Sequence, residues 1–302
     1  MARLRLAIIG FGRLGRACAQ AIERDEQLQL AGIVRRPERC AEKLPPPFHE
    51  VAVADHISNL HGVDAALICL PAEMVVGAAH DLLQQDIPIV ECAIFHGEDF
   101  VKHKNAIDRV AIRHKTPAIV GAGWDPGGLS LFRNLFALFC PHGHTEITHR
   151  PGINLHHSSI AGAIPGVKRA MATEQRSADG VQQNYLYVEL EEGYDIHQIE
   201  RAIHNDPLFI GEETLVFSVD SISSLEDEGH GVLMERRGSA GAAEHQLFLL
   251  EARFSEYALS AQVMLAGARA MIHRGKRAYS LFDLPSGALW GDFRPLAEEE
   301  WE

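Results

Sequence analysis

No Cys-x-x-Cys pair and no zinc-type spacing of cysteine and histidine occurs in the 302 residues, although five cysteines (Cys18, Cys40, Cys69, Cys92, Cys140) and 17 histidines are present. The usual zinc sites and a redox-active dithiol are therefore excluded. Cysteines set in apolar runs instead predict buried thiols in a reducing compartment. No apolar run approaches the roughly 18 residues that cross a bilayer. Positive charge is scarce: 28 Lys and Arg against 41 Asp and Glu give a formal net charge of −13. That balance argues against nucleic acid or an anionic membrane as partner. Gly-x-Ser-x-Gly is missing, which argues against an α/β-hydrolase. The dispersed acids form no metal loop, so no metal is expected. Met1-Ala2-Arg3-Leu4-Arg5 runs directly into an apolar stretch, which predicts no signal peptide and a cytoplasmic protein.

What is present begins at once. Leu4-Arg5-Leu6-Ala7-Ile8-Ile9 favours a β-strand and passes into Gly10-Phe11-Gly12-Arg13-Leu14-Gly15, followed by an Ala-rich helical pattern (Ala17, Ala19, Ala21, Ile22). Strand, Gly-x-Gly-x-x-Gly turn and helix in that order are the context of a dinucleotide site. Gly10 suits the tight turn, Gly12 lets backbone approach a pyrophosphate, and Gly15 lets helix and strand pack closely. The unpaired N–H groups at the helix start would face the phosphates, with Arg13 and Leu14 beside them. The second strand, Leu28–Val34, ends in Arg35-Arg36-Pro37. An NAD site usually offers Asp or Glu there for the ribose 2′-hydroxyl, about 20 residues past the glycines. Two guanidinium groups suit a 2′-phosphate instead, so the cofactor reading is NADP.

Apolar strands then alternate with helical patterns. Val63–Leu70 reads as a buried parallel strand, with Cys69 and Pro71 at its tip beside the cofactor. Glu73–Gln85 is helical, Ile87–Val90 a strand, His96–His114 a helix and Pro117–Val120 a strand. The pattern predicts an α/β, Rossmann-type, doubly wound parallel sheet over residues 1–125. A helix is expected from Pro37 until Pro45-Pro46-Pro47, and another over Leu129–Cys140. From Thr145 the character changes to strand-like runs (Gln183–Glu189, Thr214–Val219, Gln246–Phe254) with a helix over Ile196–Asn205. These describe a second, α+β domain over 126–254. The remaining stretch, 255–302, opens with a long helix (Ala258–His273) expected to pack back on the first domain.

Four groups of residues occur together and in order: Gly10-Phe11-Gly12-Arg13-Leu14-Gly15-Arg16, Arg35-Arg36, Gly123-Trp124-Asp125-Pro126-Gly127 and Ile164-Pro165-Gly166-Val167. In this the chain resembles the meso-diaminopimelate dehydrogenases over essentially its whole length. The resemblance implies NADP-dependent oxidative deamination at a D-configured centre of an amino acid, with the second domain, 126–254, binding substrate and forming a homodimer. It also implies that Trp124 and Asp125 line the substrate pocket, with His230 of Glu228-Gly229-His230-Gly231 touching substrate. The departures are specific. The Asp that the family pattern carries in the loop after the strand matching Ile87–Val90 is matched by Ile94 or Phe95. A Gly-His-Ser-Asp run becomes His156-His157-Ser158-Ser159. The Arg for a distal carboxylate falls at Asn184 or Tyr185, and a pocket Asn at Phe254. Without that guanidinium the pocket loses its means of holding a second charged head group. The substrate is therefore meso-diaminopimelate or a smaller, more apolar D-amino acid.

Asp125 is the candidate catalytic acid–base or positioning group beside Trp124; it could equally cap the helix after Pro126. His157, Ser158, His230 and Tyr185 are the candidate substrate contacts. Two rival classes remain open. Sugar dehydrogenases of the same plan carry Glu-Lys-Pro where this chain has Glu91-Cys92-Ala93, without the lysine. A non-catalytic NADP-binding sensor would need none of the pocket residues.

Overall fold

The computed structural model describes residues 3–150, 153–176, 182–222, 230–271 and 275–290. They form two compact units, Met1–Leu138 with Glu256–Glu302, and Phe139–Ser255. The division falls after Leu138, where the sequence reading places it after Asp125; Leu131 packs with the first unit's core.

The first unit is built on seven parallel strands: β1 (Leu4–Ile9), β2 (Leu28–Val34), β3 (Val53–Ala54), β4 (Ala65–Ile68), β5 (Ile89–Glu91), β6 (Ala118–Ile119) and β14 (Ala278–Tyr279). Their order across the sheet is β14-β6-β5-β4-β1-β2-β3, reversing at β1/β4. Alternate side chains of β1 serve opposite layers, as strand geometry requires. Leu6 and Ile8 join one buried cluster, and Ala7 and Ile9 the other. Over the first layer lies α1 (Arg13–Glu23), which buries Gly15, Cys18, Ala19 and Ile22, one face at helical spacing. Beside it packs α8 (Glu256–Met271), through Ala261, Met264, Leu265 and Ala268. An ion pair between Arg269 and Asp25 ties that helix to the turn after α1. Over the second layer lie α3 (Ala72–Leu83) and α4 (Gly97–His114), with Val75, Ala79, Leu82, Leu83, Ile107 and Ala111 buried. Helices on both faces and a uniformly parallel sheet make this the expected doubly wound Rossmann-type fold.

Local differences have physical causes. The helix expected between Pro37 and Pro45 is a single turn, α2 (Pro37–Cys40). Leu44 and Phe48 on either side of the prolines are drawn into the core, and Phe11 meets Phe48 edge-on at 6.0 Å. His96 does not begin the third helix but stands outside it in extended conformation (φ −127°, ψ 157°).

After α5 (Leu129–Phe139) the second unit contains a four-stranded sheet, order β11-β10-β9-β8, and a three-stranded antiparallel sheet, order β13-β12-β7. The strands are β7 (His142–Arg150), β8 (Ile153–Asn154), β9 (Val167–Arg176), β10 (Gln182–Leu190), β11 (Glu213–Ser218), β12 (His230–Ala240) and β13 (Ala243–Phe254). Two helices, α6 (Leu155–Gly162) and α7 (Ile196–His204), share a core with the larger sheet through Ala161, Leu186, Val188, Ile199 and Ile203. This α+β unit agrees with the second domain class expected.

Candidate functional site

The turn from β1 to α1 is shaped by two glycines that the fold itself needs and one that it does not. Gly10 has φ +94°, and a Cβ there would meet the Cys69 carbonyl oxygen at 2.6 Å. At Gly15 a Cβ would meet the Gly10 carbonyl oxygen at 2.2 Å. A Cβ at Gly12 would meet nothing within 4 Å. Gly12 is also the residue before α1, it offers no side-chain cap, and the first turn holds no acid. The free N–H groups and positive end of α1 thus face open space, which fits a pyrophosphate. Arg13 reaches over this end and donates to the Tyr257 hydroxyl at 3.4 Å, with its guanidinium 5.8 Å from the ring centroid. Leu14 turns inward to pack against the core.

At the tip of β2 the two arginines differ. Arg36 is exposed just ahead of α2. Arg35 is largely covered, and its guanidinium donates to the Glu42 carboxylate at 2.8 Å and to the Glu42 carbonyl at 3.2 Å. Glu42 gave no signal in the sequence, since it arrives through the turn that follows α2. At the tip of β4, Cys69 donates its N–H to Ile9 O, and its thiol lies 3.8 Å from that of Cys18. The thiol contact with Cys18, then burial, push the Cys69 thiol upward from its ordinary value. Cys69 therefore adjoins the turn by backbone and keeps its sulfur in the core. Pro71 stands directly before α3.

The loops after β5 and β6 leave the same, carboxyl-terminal edge of the sheet, where open α/β sheets bind ligands. Glu91 organises both. Its fully buried carboxylate accepts the Ala93 N–H at 2.6 Å and the Gly121 N–H at 2.8 Å, and lies 3.2 Å from His103 Nε2 of α4. Phe95 covers His103 with ring centroids 4.7 Å apart, while Ile94 is 54% exposed. Next in the second loop, Trp124 is buried, donates its N–H to Ser260 of α8 at 3.0 Å, and packs near Phe132. Asp125 is extended (φ −119°, ψ 126°). Among the described residues its carboxylate caps no helix; it lies 3.5 Å from Nε2 of the exposed His96. His96 was missed in the sequence, where it reads as the first residue of a helix.

The second unit brings some of the candidate substrate residues together and separates one. His157 of α6 lies 3.0 Å from Glu212, and the Asn184 amide donates to the same carboxylate oxygen at 2.5 Å. Ser158 accepts the Ala172 N–H of β9 at 2.8 Å. Tyr185 does not join them. Strand alternation turns it to the opposite face of β10 from Asn184, where it stacks on Phe217 at 6.0 Å. His230 opens β12; its side chain, with Glu228 and Gly229, lies outside the described residues, as does the side chain of His156.

A parallel sheet reversing at β1/β4, a glycine turn open at the start of α1, and titratable side chains on loops at the same edge are the plan of a dinucleotide-binding oxidoreductase. Residues 4–91 match the oxidoreductase family with an NAD-binding Rossmann fold. The meso-diaminopimelate D-dehydrogenase of Bacteroides fragilis is 33% identical over 301 residues, covering 100% of this chain and 98% of that one. This chain belongs to the meso-diaminopimelate dehydrogenase family and is an amino-acid dehydrogenase. Its fold is shared by the C. glutamicum diaminopimelate dehydrogenase in complex with diaminopimelate (22% identity, 96% of each chain, TM-score 0.64). The same holds for an engineered D-amino-acid dehydrogenase bound to NADP+ (22% identity, 99% of this chain and 98% of that one, TM-score 0.63).

Proposed function

We propose that the chain is an NADP-dependent dehydrogenase that oxidatively deaminates the D-configured centre of meso-diaminopimelate or a related amino acid. The observation that carries this reading is the placement of Asp125, with His96, on loops leaving the same sheet edge as the glycine turn. The first unit would hold the dinucleotide, with Gly10, Gly12, Gly15 and the α1 N-terminus around the pyrophosphate and Arg36 with Arg35 at the 2′-phosphate. When bound, the nicotinamide supplies a hydride acceptor for the substrate Cα–H. The protein's part is to hold the amino group and exchange its proton, and Trp124 keeps the Asp125 loop in place through Ser260 and Phe132. We assign substrate binding and homodimer formation to the second unit. There Leu215, Phe217, Leu247 and Leu249 leave apolar surface exposed.

A second reading of the substrate has its own support. At Asn184, one of the two positions (with Tyr185) where the resemblance calls for a guanidinium, an amide holds the Glu212 carboxylate. Such a site offers no counter-charge to a distal carboxylate and favours a smaller or more apolar D-amino acid. The test is NADP reduction by the purified protein with meso-diaminopimelate and with a panel of D- and L-amino acids. Turnover confined to meso-diaminopimelate supports the first substrate, and turnover of simple D-amino acids the second. Silence on every amino acid refutes both. In the active case, Asp125→Asn lowers turnover and leaves the NADPH dissociation constant unchanged.

A further inference from the structure

We propose that His96 is the base that accepts the substrate's ammonium proton, held in register by the Asp125 carboxylate. The inference rests on the deamination reading above. Deamination needs a group at the carboxyl-terminal edge of the sheet that can take a proton near neutral pH. Most of the described titratable groups around the two loops are committed elsewhere. The Glu91 carboxylate is fully buried and already accepts two backbone N–H groups beside His103. His103 is buried against Glu91 and under Phe95. Burial first, and the Glu91 charge second, push the Cys92 thiol upward and keep it protonated. Ile94 and Phe95 carry no ionisable group. On the first turn of α4, Glu98 and Asp99 are paired with Lys102. That leaves Asp125 and His96.

Their geometry divides the work. Asp125 is the more covered partner, its side chain 21% exposed against 62% for His96. Nε2 of His96 lies 3.5 Å from the Asp125 carboxylate, so Nδ1 is the ring nitrogen not turned to Asp125. A carboxylate that fixes a proton on one imidazole nitrogen leaves the other as an acceptor, the logic by which a buried Asp orients a catalytic His. Histidine is also the side chain whose charge changes between pH 5 and 8. His96 is the N-cap residue of α4 through its carbonyl, but its side chain makes no cap hydrogen bond, so its ring is not committed to the helix.

The step balances as follows. The substrate ammonium gives one proton to Nδ1, and the Cα–H leaves as hydride to the oxidised nicotinamide while the C=N bond forms. Water adds to the iminium carbon, the C–N bond breaks, and a keto acid and ammonium leave; His96 returns its proton to solvent.

The experiment compares the whole enzyme with His96→Asn and Asp125→Asn, using whichever amino acid the unaltered protein turns over. His96→Asn should lower kcat by about 10²–10⁴-fold. It should also abolish the acidic limb of the kcat/KM profile, with the NADPH dissociation constant, read by fluorescence, changed less than twofold. Nitrogen-15 spectra of cofactor-free protein should show the His96 proton fixed on Nε2, and shared between both nitrogens in Asp125→Asn. An unchanged limb in His96→Asn, or a tautomer indifferent to Asp125→Asn, overturns the proposal while leaving the dehydrogenase reading standing. No turnover of any amino acid by the unaltered protein overturns the deamination reading, and this inference with it.

Discussion

Glu91 at the end of β5 and His103 in α4 meet at 3.2 Å with both side chains buried, and the same carboxylate binds the N–H groups of Ala93 and Gly121. One acid therefore joins a helix to the two loops that carry His96 and Asp125. Without it, two buried N–H groups would lose their acceptor. Glu91→Gln keeps one carbonyl oxygen and presents an NH2 where an acceptor is needed. Replacing a charged acceptor of this kind costs about 2–3 kcal/mol. Urea unfolding of Glu91→Gln should show that loss, and Glu91→Ala a larger one. A loss below about 1 kcal/mol would mean the loops are held by other contacts.

Much of this was readable from residues alone. The glycine spacing, the apolar strands and the helical periods are local patterns, and the sheet follows from them because a parallel strand order needs the crossovers those helices provide. Leu28–Val34 forms its strand over the residues expected. The candidate site was legible only where its residues adjoin in sequence, as Trp124 and Asp125 do. The His96–Asp125 pair, the Glu42 partner of Arg35, and the Glu212 carboxylate between His157 and Asn184 are contacts between distant elements. No period or motif encodes such contacts. Tyr185 shows the complementary limit: it is next to Asn184 in sequence and across the sheet from it in space.

The glycine turn separates fold from ligand. Gly15→Ala places a methyl against the Gly10 carbonyl, so the strand–turn–helix unit must shift, and both thermal stability and dinucleotide binding should fall. Gly12→Ala meets no protein atom. It should unfold within about 1 kcal/mol of the parent yet bind NADPH at least tenfold more weakly by fluorescence titration. Undiminished binding in Gly12→Ala would move the pyrophosphate elsewhere.

Acid should weaken the first unit through Asp283. Burial works against the Asp283 charge, but the Lys104 ammonium and the Ser280 N–H and hydroxyl outweigh it and hold the carboxyl below its ordinary value. A carboxyl depressed on folding adds stability above its unfolded pKa, and the gain disappears as pH falls through the folded value. The Tm difference between the parent and Asp283→Asn should therefore be constant above about pH 5 and close as pH drops toward 3. Lys104→Met should move the closing point to higher pH. A difference that stays constant down to that acidity would remove Asp283 from the acid response.

Arg35 is already held when the cofactor arrives. Its side chain is 10% exposed, with one guanidinium nitrogen on the Glu42 carboxylate and another on the Glu42 carbonyl. Arg39 lies 4.0 Å from the other carboxylate oxygen. A 2′-phosphate approaching the tip of β2 meets an exposed Arg36 and an Arg35 it must share with Glu42. The two arginines should therefore contribute unequally. Arg36→Ala should weaken NADPH by about 10–100-fold, the worth of charge-assisted hydrogen bonds, and Arg35→Ala by less. The double substitution should cost NADPH far more than NADH. Glu42→Gln frees Arg35 of its competing anion. NADPH should then bind about three- to tenfold more tightly, with NADH unchanged, in parallel fluorescence titrations. If Glu42→Gln weakens NADPH instead, Glu42 holds Arg35 in its binding position. If both cofactors lose equally in the double arginine variant, the β2 tip does not read the 2′-phosphate.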